Sequence, residues 1–284
     1  MLSTSAAASL DRLPSLKKSE KMPVLFLGHG SPMNAIGDNE YRRSWQTLGS
    51  RFGADLPMPQ LILCISAHWL TQGWWLTAMA RPKTLHDFGG FAQELFEEQY
   101  PVPGDPAAAQ AIGQLVRQRA SMPLGLDGSQ WGLDHGAWSV LKPMFPLAAV
   151  PVIQLSMDYA RPPEDHYALA KQLQALRDRG VLVVGSGNLV HNLAQMQRGA
   201  LGHQAFDWAL EFDQTMGGHV QQGNLGALQG FQKLGALARM AHPTHEHFLP
   251  LLYAAGAVDA GEPMRFFNTS FQGGSISMRS MIWG

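Results

Sequence analysis

A chain of 284 residues, 45% of them hydrophobic, carries enough apolar side chain to bury the core of one sizeable domain. A formal net charge of -1, with no stripe of Lys and Arg, excludes the electrostatic footprint of a nucleic-acid binder. No apolar run approaches the roughly 18 residues that a membrane-spanning helix needs, so no membrane partner is expected. The one cysteine, Cys64, excludes an intrachain disulfide and a cysteine-based zinc site, and points to a cytoplasmic protein.

In chain order, residues 1–21 are rich in Ser, Ala and Leu and end in Lys17, Lys18 and Lys21, the reverse of a secretory signal's order of charge and apolar stretch. They read as a disordered leader before a single domain spanning 22–284. Val24-Leu25-Phe26-Leu27 predicts a strand that runs into Gly28-His29-Gly30, and Asn39 to Phe52 predicts a helix. A strand over Leu61 to Ile65, with Cys64 as a core residue, runs into Ser66-Ala67-His68. Asp105 to Ala120 predicts a helix with an Asp cap and Pro106 at its first position. A strand over Val152 to Leu155 precedes a helix over Pro162 to Arg179, with Leu169, Leu173 and Leu176 on one side. The strand Val181 to Val184 is followed by a short Gly185-Ser186-Gly187 turn. Helices over Ala205 to Val220 and Glu246 to Ala255 come next. Strands Met264 to Phe267 and Ile276 to Trp283 then join through Gly273-Gly274 as an antiparallel edge. Uninterrupted apolar runs suit strands buried on both faces. Their alternation with helices predicts an α/β domain with a central, largely parallel mixed sheet and helices on both faces.

Eleven histidines stand out. In open α/β sheets, ligands bind beyond the carboxyl ends of the strands. His29 and His68 sit just past two such ends, and His191 a short turn past a third. Neutral imidazole is the commonest metal ligand and suits zinc and iron. Without a cysteine cluster, a tight site must use His and carboxylate, with Asp38, Glu40, Asp158 and Glu246 as the main acidic candidates. His242-Pro243-Thr244-His245-Glu246-His247 concentrates three histidines and a glutamate. The same stretch also reads as a polar turn capping a helix, with Thr244 at the N-cap and Glu246 in the first turn. His135 opens a helix in Gly132-Leu133-Asp134-His135-Gly136, and His86 precedes Asp87-Phe88-Gly89-Gly90-Phe91. Each stands beside an aspartate able to orient its ring, although a plain turn residue is the favoured reading of His86. His166, His203 and His219 fall in helical patterns and read as ordinary residues. Gly28 to Pro32 lacks the spacing of a phosphate loop, and Ser31, Ser66 and Ser186 do not sit in a nucleophile elbow.

Six ordered segments carry a resemblance: Gly28-His29-Gly30-Ser31-Pro32, Ser66-Ala67-His68-Trp69, His86-Asp87-Phe88-Gly89-Gly90-Phe91, Asp134-His135-Gly136-Ala137-Trp138, Gly185-Ser186-Gly187-Asn188-Leu189-Val190-His191-Asn192 and Pro243-Thr244-His245-Glu246-His247-Phe248. From about Met22 to the C-terminus the chain resembles the class III extradiol ring-cleavage dioxygenases, nearest their 4,5-DOPA extradiol dioxygenase branch. The resemblance implies one divalent metal per chain, Fe(II) or Zn(II), and a catecholic substrate opened with O2 to a semialdehyde. It makes His29 and His68 metal ligands. His247 is the remaining metal histidine, beside Glu246, where better-known members use a glutamate. His191 is the acid/base, able also to lie on the metal, and His135 polarises substrate or oxygen. Trp69, Phe88 and Trp138 are candidates to stack on the ring. Two other readings stay open: a zinc-dependent hydrolase on the same scaffold, and a non-catalytic binding protein of this fold.

Overall fold

β-Branched and leucine-rich runs leave no polar face for water, so the strands they form need cover on both sides. The longest of them are buried along their whole length: β1 (Val24–Gly28), β2 (Leu61–Ser66) and a later strand of seven residues, Val181–Gly187. The structure is a computed structural model, and it describes residues 16–116, 124–197 and 199–284. With β3 (Val152–Gln154), β4 (Val181–Gly187), β5 (Met264–Phe267) and β6 (Ser280–Trp283), these strands form one sheet in the order β3-β2-β4-β1-β6-β5. The first four strands of that order are parallel. β6 runs antiparallel to both β1 and β5.

Successive side chains divide between the two faces. Val24, Phe26, Leu61, Leu63, Val181 and Val183 join one apolar cluster, and Leu25, Leu27, Ile62, Cys64, Leu182 and Val184 join the other. Each such burial contributes about 1.5–3 kcal/mol relative to exposure. The second cluster is closed by α1 (Glu40–Arg51), through Tyr41, Trp45 and Leu48, and by a helix over His135–Met144, through Ala137, Trp138 and Leu141. With α2 (Pro106–Leu115) preceding it, that helix is α3. The first cluster is closed by α2, α4 (Pro163–Ala170), α5 (Asp207–Gln221) and α6 (Leu249–Ala257). The expected α/β layering, with helices on both faces of a mostly parallel sheet, is therefore present.

Helix starts follow their caps. Asn39 Oδ1 accepts from Arg42 N–H at 2.8 Å, Asp105 Oδ1 from Ala108 N–H at 2.8 Å, and Asp134 Oδ1 from Ala137 N–H at 3.1 Å. Several expectations need correction. The helix expected over Pro162 to Arg179 is two pieces. After α4, Gln172 and Leu173 bond three residues back, and the chain tightens into a 3₁₀ stretch over Gln174–Arg179. The helix expected to reach Ala120 ends at Leu115 with Val116 as its cap, and residues 117–123 lie outside the described set. Gly185-Ser186-Gly187 is not a turn but the end of β4, laddered to β1 and β2. Ile276–Ser277 pairs with Phe271–Gln272 across Gly273 and Gly274, whose φ values of 59° and 73° suit glycine, and only Ser280–Trp283 enters the main sheet. Thr244 caps no helix, because α6 begins at Leu249. Of the leader expected to be disordered, residues 1–15 lie outside the described set, whereas 16–21 rest on the body. There Leu16 is 4% exposed, Ser19 N–H bonds to Asp178 O, and Lys21 pairs with Asp259. No helix among the described residues is long and apolar enough to cross a membrane.

Candidate metal centre

Because β1, β2 and β4 are parallel, their carboxyl ends open on one edge of the sheet. His29 follows β1 directly, and its N–H donates to Gly187 O at 3.1 Å. His68 stands two residues past β2, and its N–H donates to Ser66 Oγ at 3.3 Å. His191 lies four residues past β4, where its N–H donates to Ala241 O at 3.0 Å. A fourth histidine, His247, arrives from the turn before α6. That turn is pressed onto β4: a Cβ on Gly187 would lie 2.2 Å from His247 O, and one on Gly185 2.3 Å from Pro250 O. Glycine at these two positions lets the turn close on the strand.

The rings of His29, His68 and His247 form a nearly equilateral triangle, with centroids 5.1, 5.1 and 5.2 Å apart. One donor nitrogen from each falls within 4.8 Å of the others. His29 Nε2 and His68 Nε2 are 3.2 Å apart, close to the roughly 3.3 Å that tetrahedral zinc ligands keep from one another.

Hydrogen bonds fix the proton on two of these rings. Ser186 Oγ spends its hydrogen on Gly136 O at 2.5 Å, so His29 Nδ1, 3.1 Å from that oxygen, must donate to it. His247 Nδ1 lies 3.1 Å from Glu246 Oε1, which can only accept while ionised. Both arrangements leave Nε2 with its lone pair. Burial, followed by repulsion from the neighbouring imidazoles, lowers the pKa of His29 and His247 well below the ordinary value. Burial also takes His68 down to about 3 and His191 to about 4. Neutral imidazoles are the form a metal requires, so the donor set fits a divalent ion.

The remaining expected residues divide. His191 lies flat on His247, with centroids 3.4 Å apart and 6° between the planes, and falls outside the triangle. His135 opens α3 against His68, at a centroid distance of 3.9 Å. Glu246 sits behind His247 and also accepts from the Thr244 hydroxyl at 3.0 Å. Two further groupings, His68 with Asp87 and His135, and His191 with Glu246 and His247, also bring donor atoms within 4.8 Å. Asp38 pairs with Arg43, Glu40 accepts from Ser270, and Asp158 holds Gly73 N–H and Arg161, so none of these three joins the histidines. His86 is a packing residue bonded to Glu98 O at 2.9 Å. The aspartate beside His135 in sequence, Asp134, does not meet its ring. It caps α3 and takes bonds from Ser66, Gln154 and Trp131.

Above the histidines lies a cavity of about 270 Å³, walled by Phe88, Phe91, Leu193, Met196 and Ile276, with Ser31 and Gln272 at one side. Of the three aromatics expected to meet a substrate ring, Phe88 lines this cavity. Trp69 stacks on Trp131 at 5.7 Å, and Trp138 is buried with its N–H on Leu85 O. Sequence reasoning did not single out Ser186, Phe91 or the pairing of Asp87 with His135. All three lie within the segments that carry the resemblance, but their roles at the centre show only in contacts across the fold, where Asp87 meets His135 rather than His86.

Residues 23–274 match the family model described as the catalytic LigB subunit of aromatic ring-opening dioxygenase. A protein of Escherichia coli (strain K12) named 4,5-DOPA dioxygenase extradiol is 43% identical over 275 residues, covering 95% of this chain and 97% of that one. One of the same name from Beta vulgaris is 33% identical over 262 residues, covering 90% and 94%. A crystal structure of an uncharacterised protein from Escherichia coli K12 superposes with a TM-score of 0.77 at 39% identity, over 93% of this chain and all of that one. The histidine-floored cavity thus sits in a chain that belongs to the LigB family, and the protein is a metal-dependent extradiol ring-cleaving dioxygenase.

Proposed function

We propose that residues 22–284 form one cytoplasmic catalytic domain, in which His29, His68 and His247 hold a single Fe(II). We further propose that its substrate is a DOPA-like catechol. The observation that carries the ligand assignment is the near-equilateral triangle of rings with Nδ1 of His29 and His247 committed to protein oxygens. Three protein ligands would leave other positions on the iron free for substrate and O2. Iron supplies the one-electron chemistry with O2 and acidifies the catechol oxygens, whereas zinc has no redox chemistry to offer.

The chain's own groups do the rest. His191, neutral at pH 7 and stacked against His247, takes the phenolic proton and returns one as the ring opens; such acid/base help is worth roughly 10²–10⁴-fold. His135 lines the same cavity and orients the substrate oxygens. Phe88 and Phe91 meet the ring and exclude water. Family membership selects this reading over a zinc hydrolase or a non-catalytic binding protein. The test is an anaerobic reconstitution with Fe(II), followed by L-DOPA or caffeate and air. Oxygen uptake matched to a yellow ring-opened product is expected, and zinc-loaded protein should stay silent. No uptake with any catechol, or equal turnover with zinc, would contradict the proposal.

A further inference from the structure

Each triangle ring has a protein oxygen behind it. Ser186 Oγ lies 3.1 Å from His29 Nδ1, and Glu246 Oε1 lies 3.1 Å from His247 Nδ1. For His68 the oxygen is Asp87 Oδ2, at 3.7 Å from Nδ1, too long for a direct hydrogen bond. The same oxygen lies 3.0 Å from Nδ1 of His135, while Asp87 Oδ1 accepts from the His135 backbone N–H at 2.8 Å. His135 Nδ1 is buried and has no aligned hydrogen-bond partner. Among the described residues, the ion pairs of Asp87 are with these two imidazoles alone.

The segment that carries the carboxylate is held on both sides of Asp87. Leu85 N–H bonds to Leu133 O at 2.8 Å, and Leu85 O accepts from Trp138 Nε1 at 2.8 Å. His86 is pinned to Glu98 O, and Phe88 enters the cavity wall. One short segment therefore ties the cavity wall, the histidine after β2 and the histidine opening α3 to a single negative charge.

We propose that Asp87 is a positioning residue of the ring-cleavage centre, one carboxylate that orients the rings of both His68 and His135. This rests on the reading of His68 as a metal ligand. A histidine bound to a metal through one nitrogen carries its proton on the other, and a carboxylate there fixes tautomer and ring angle. Asp87 stands on the Nδ1 side of both rings. At these distances its negative charge, rather than a direct hydrogen bond to His68, favours the proton on Nδ1 of each ring, which leaves Nε2 of His68 for the triangle and Nε2 of His135 for the cavity.

Asp87→Asn tests this, because the amide oxygen still accepts from His135 N–H while the charge and the second acceptor are lost. Metal-free wild type and variant are titrated with Co(II), whose absorption reports binding. The Co(II) dissociation constant should rise about 10–100-fold in the variant, with the melting temperature of the metal-free protein unchanged. At saturating Fe(II), kcat for a catechol should fall at least about ten-fold, with a smaller change in KM, and Asp87→Glu should recover part of both losses. Wild-type Co(II) affinity and kcat in Asp87→Asn would overturn the proposal and leave Asp87 as a support for the His135 backbone. Should Asp87→Asn melt lower, Trp138→Phe, which removes another bond of the same segment, decides. An equal loss of Co(II) affinity there overturns the proposal, and wild-type affinity there supports it. Wild-type protein that neither binds Co(II) nor cleaves a catechol overturns the functional reading first, and this inference with it.

Discussion

A histidine serves a metal through a nitrogen that carries no proton, so the bonds made by its other nitrogen decide what it can do. His29 shows this most clearly, because Ser186 is bonded onward to Gly136 O and can only accept from the ring. Ser186→Ala should therefore weaken metal binding about 10–100-fold, read by titration of the metal-free protein. An unchanged dissociation constant would mean that packing alone sets the ring. His191 is a different case. It lies flat on His247 and outside the triangle, and if it acts as the proposed base, His191→Ala should lower kcat by roughly 10²–10⁴-fold at constant iron content. Strand-end position was enough to single out His29, His68 and His191 in the sequence. The segment holding His247 stood out for its three histidines and a glutamate, but it reads equally well as a helix cap, and only the resemblance picked His247 from among them. The pairing of Asp87 with His135 was not legible, because the two come from separate segments that meet only in the fold.

At the scale of elements, the centre depends on how closely the turn before α6 packs on the end of β4. The sequence Gly185-Ser186-Gly187 looks like a turn, since glycine is poor in strands. Here it is strand, and the glycines answer to the backbone of the turn lying across it. A methyl group on Gly187 would meet His247 O at 2.2 Å, a backbone atom that cannot swing aside. Gly187→Ala should destabilise the protein by about 1–3 kcal/mol and displace His247, so that denaturant midpoint and bound metal fall together. A variant with full stability and full metal would show that the turn adapts. The parallel strands were legible because their runs are apolar without alternation. The break after α4 was not, because Leu169, Leu173 and Leu176 stay buried whether the backbone is α or 3₁₀.

Five of the eleven histidines are buried, namely His29, His135, His166, His242 and His247, and this has a cost in acid. His166, bonded to the Tyr253 hydroxyl, is taken down to about 4 by burial, and His242, on Leu189 O, to about 3. Both pKa values are lower folded than unfolded. Between pH 6.5 and about 4 the unfolded chain thus binds more protons, and stability is lost as the pH falls through that window. The melting temperature of the metal-free protein should hold above pH 7 and drop steadily from pH 6.5 towards 4.5. A flat profile would contradict neutral burial of these rings. The α/β layering was legible as a whole, whereas the site is assembled from strand ends, a helix start and a turn that only the tertiary fold brings together. The most direct test of that assembly is the iron content of His29→Ala, His68→Ala, His247→Ala and His191→Ala after anaerobic loading. The first three should lose the metal and His191→Ala should keep about one Fe(II) per chain, as a single three-histidine site would. Loss of iron from His191→Ala, or its retention in any of the other three, would contradict a centre held by His29, His68 and His247.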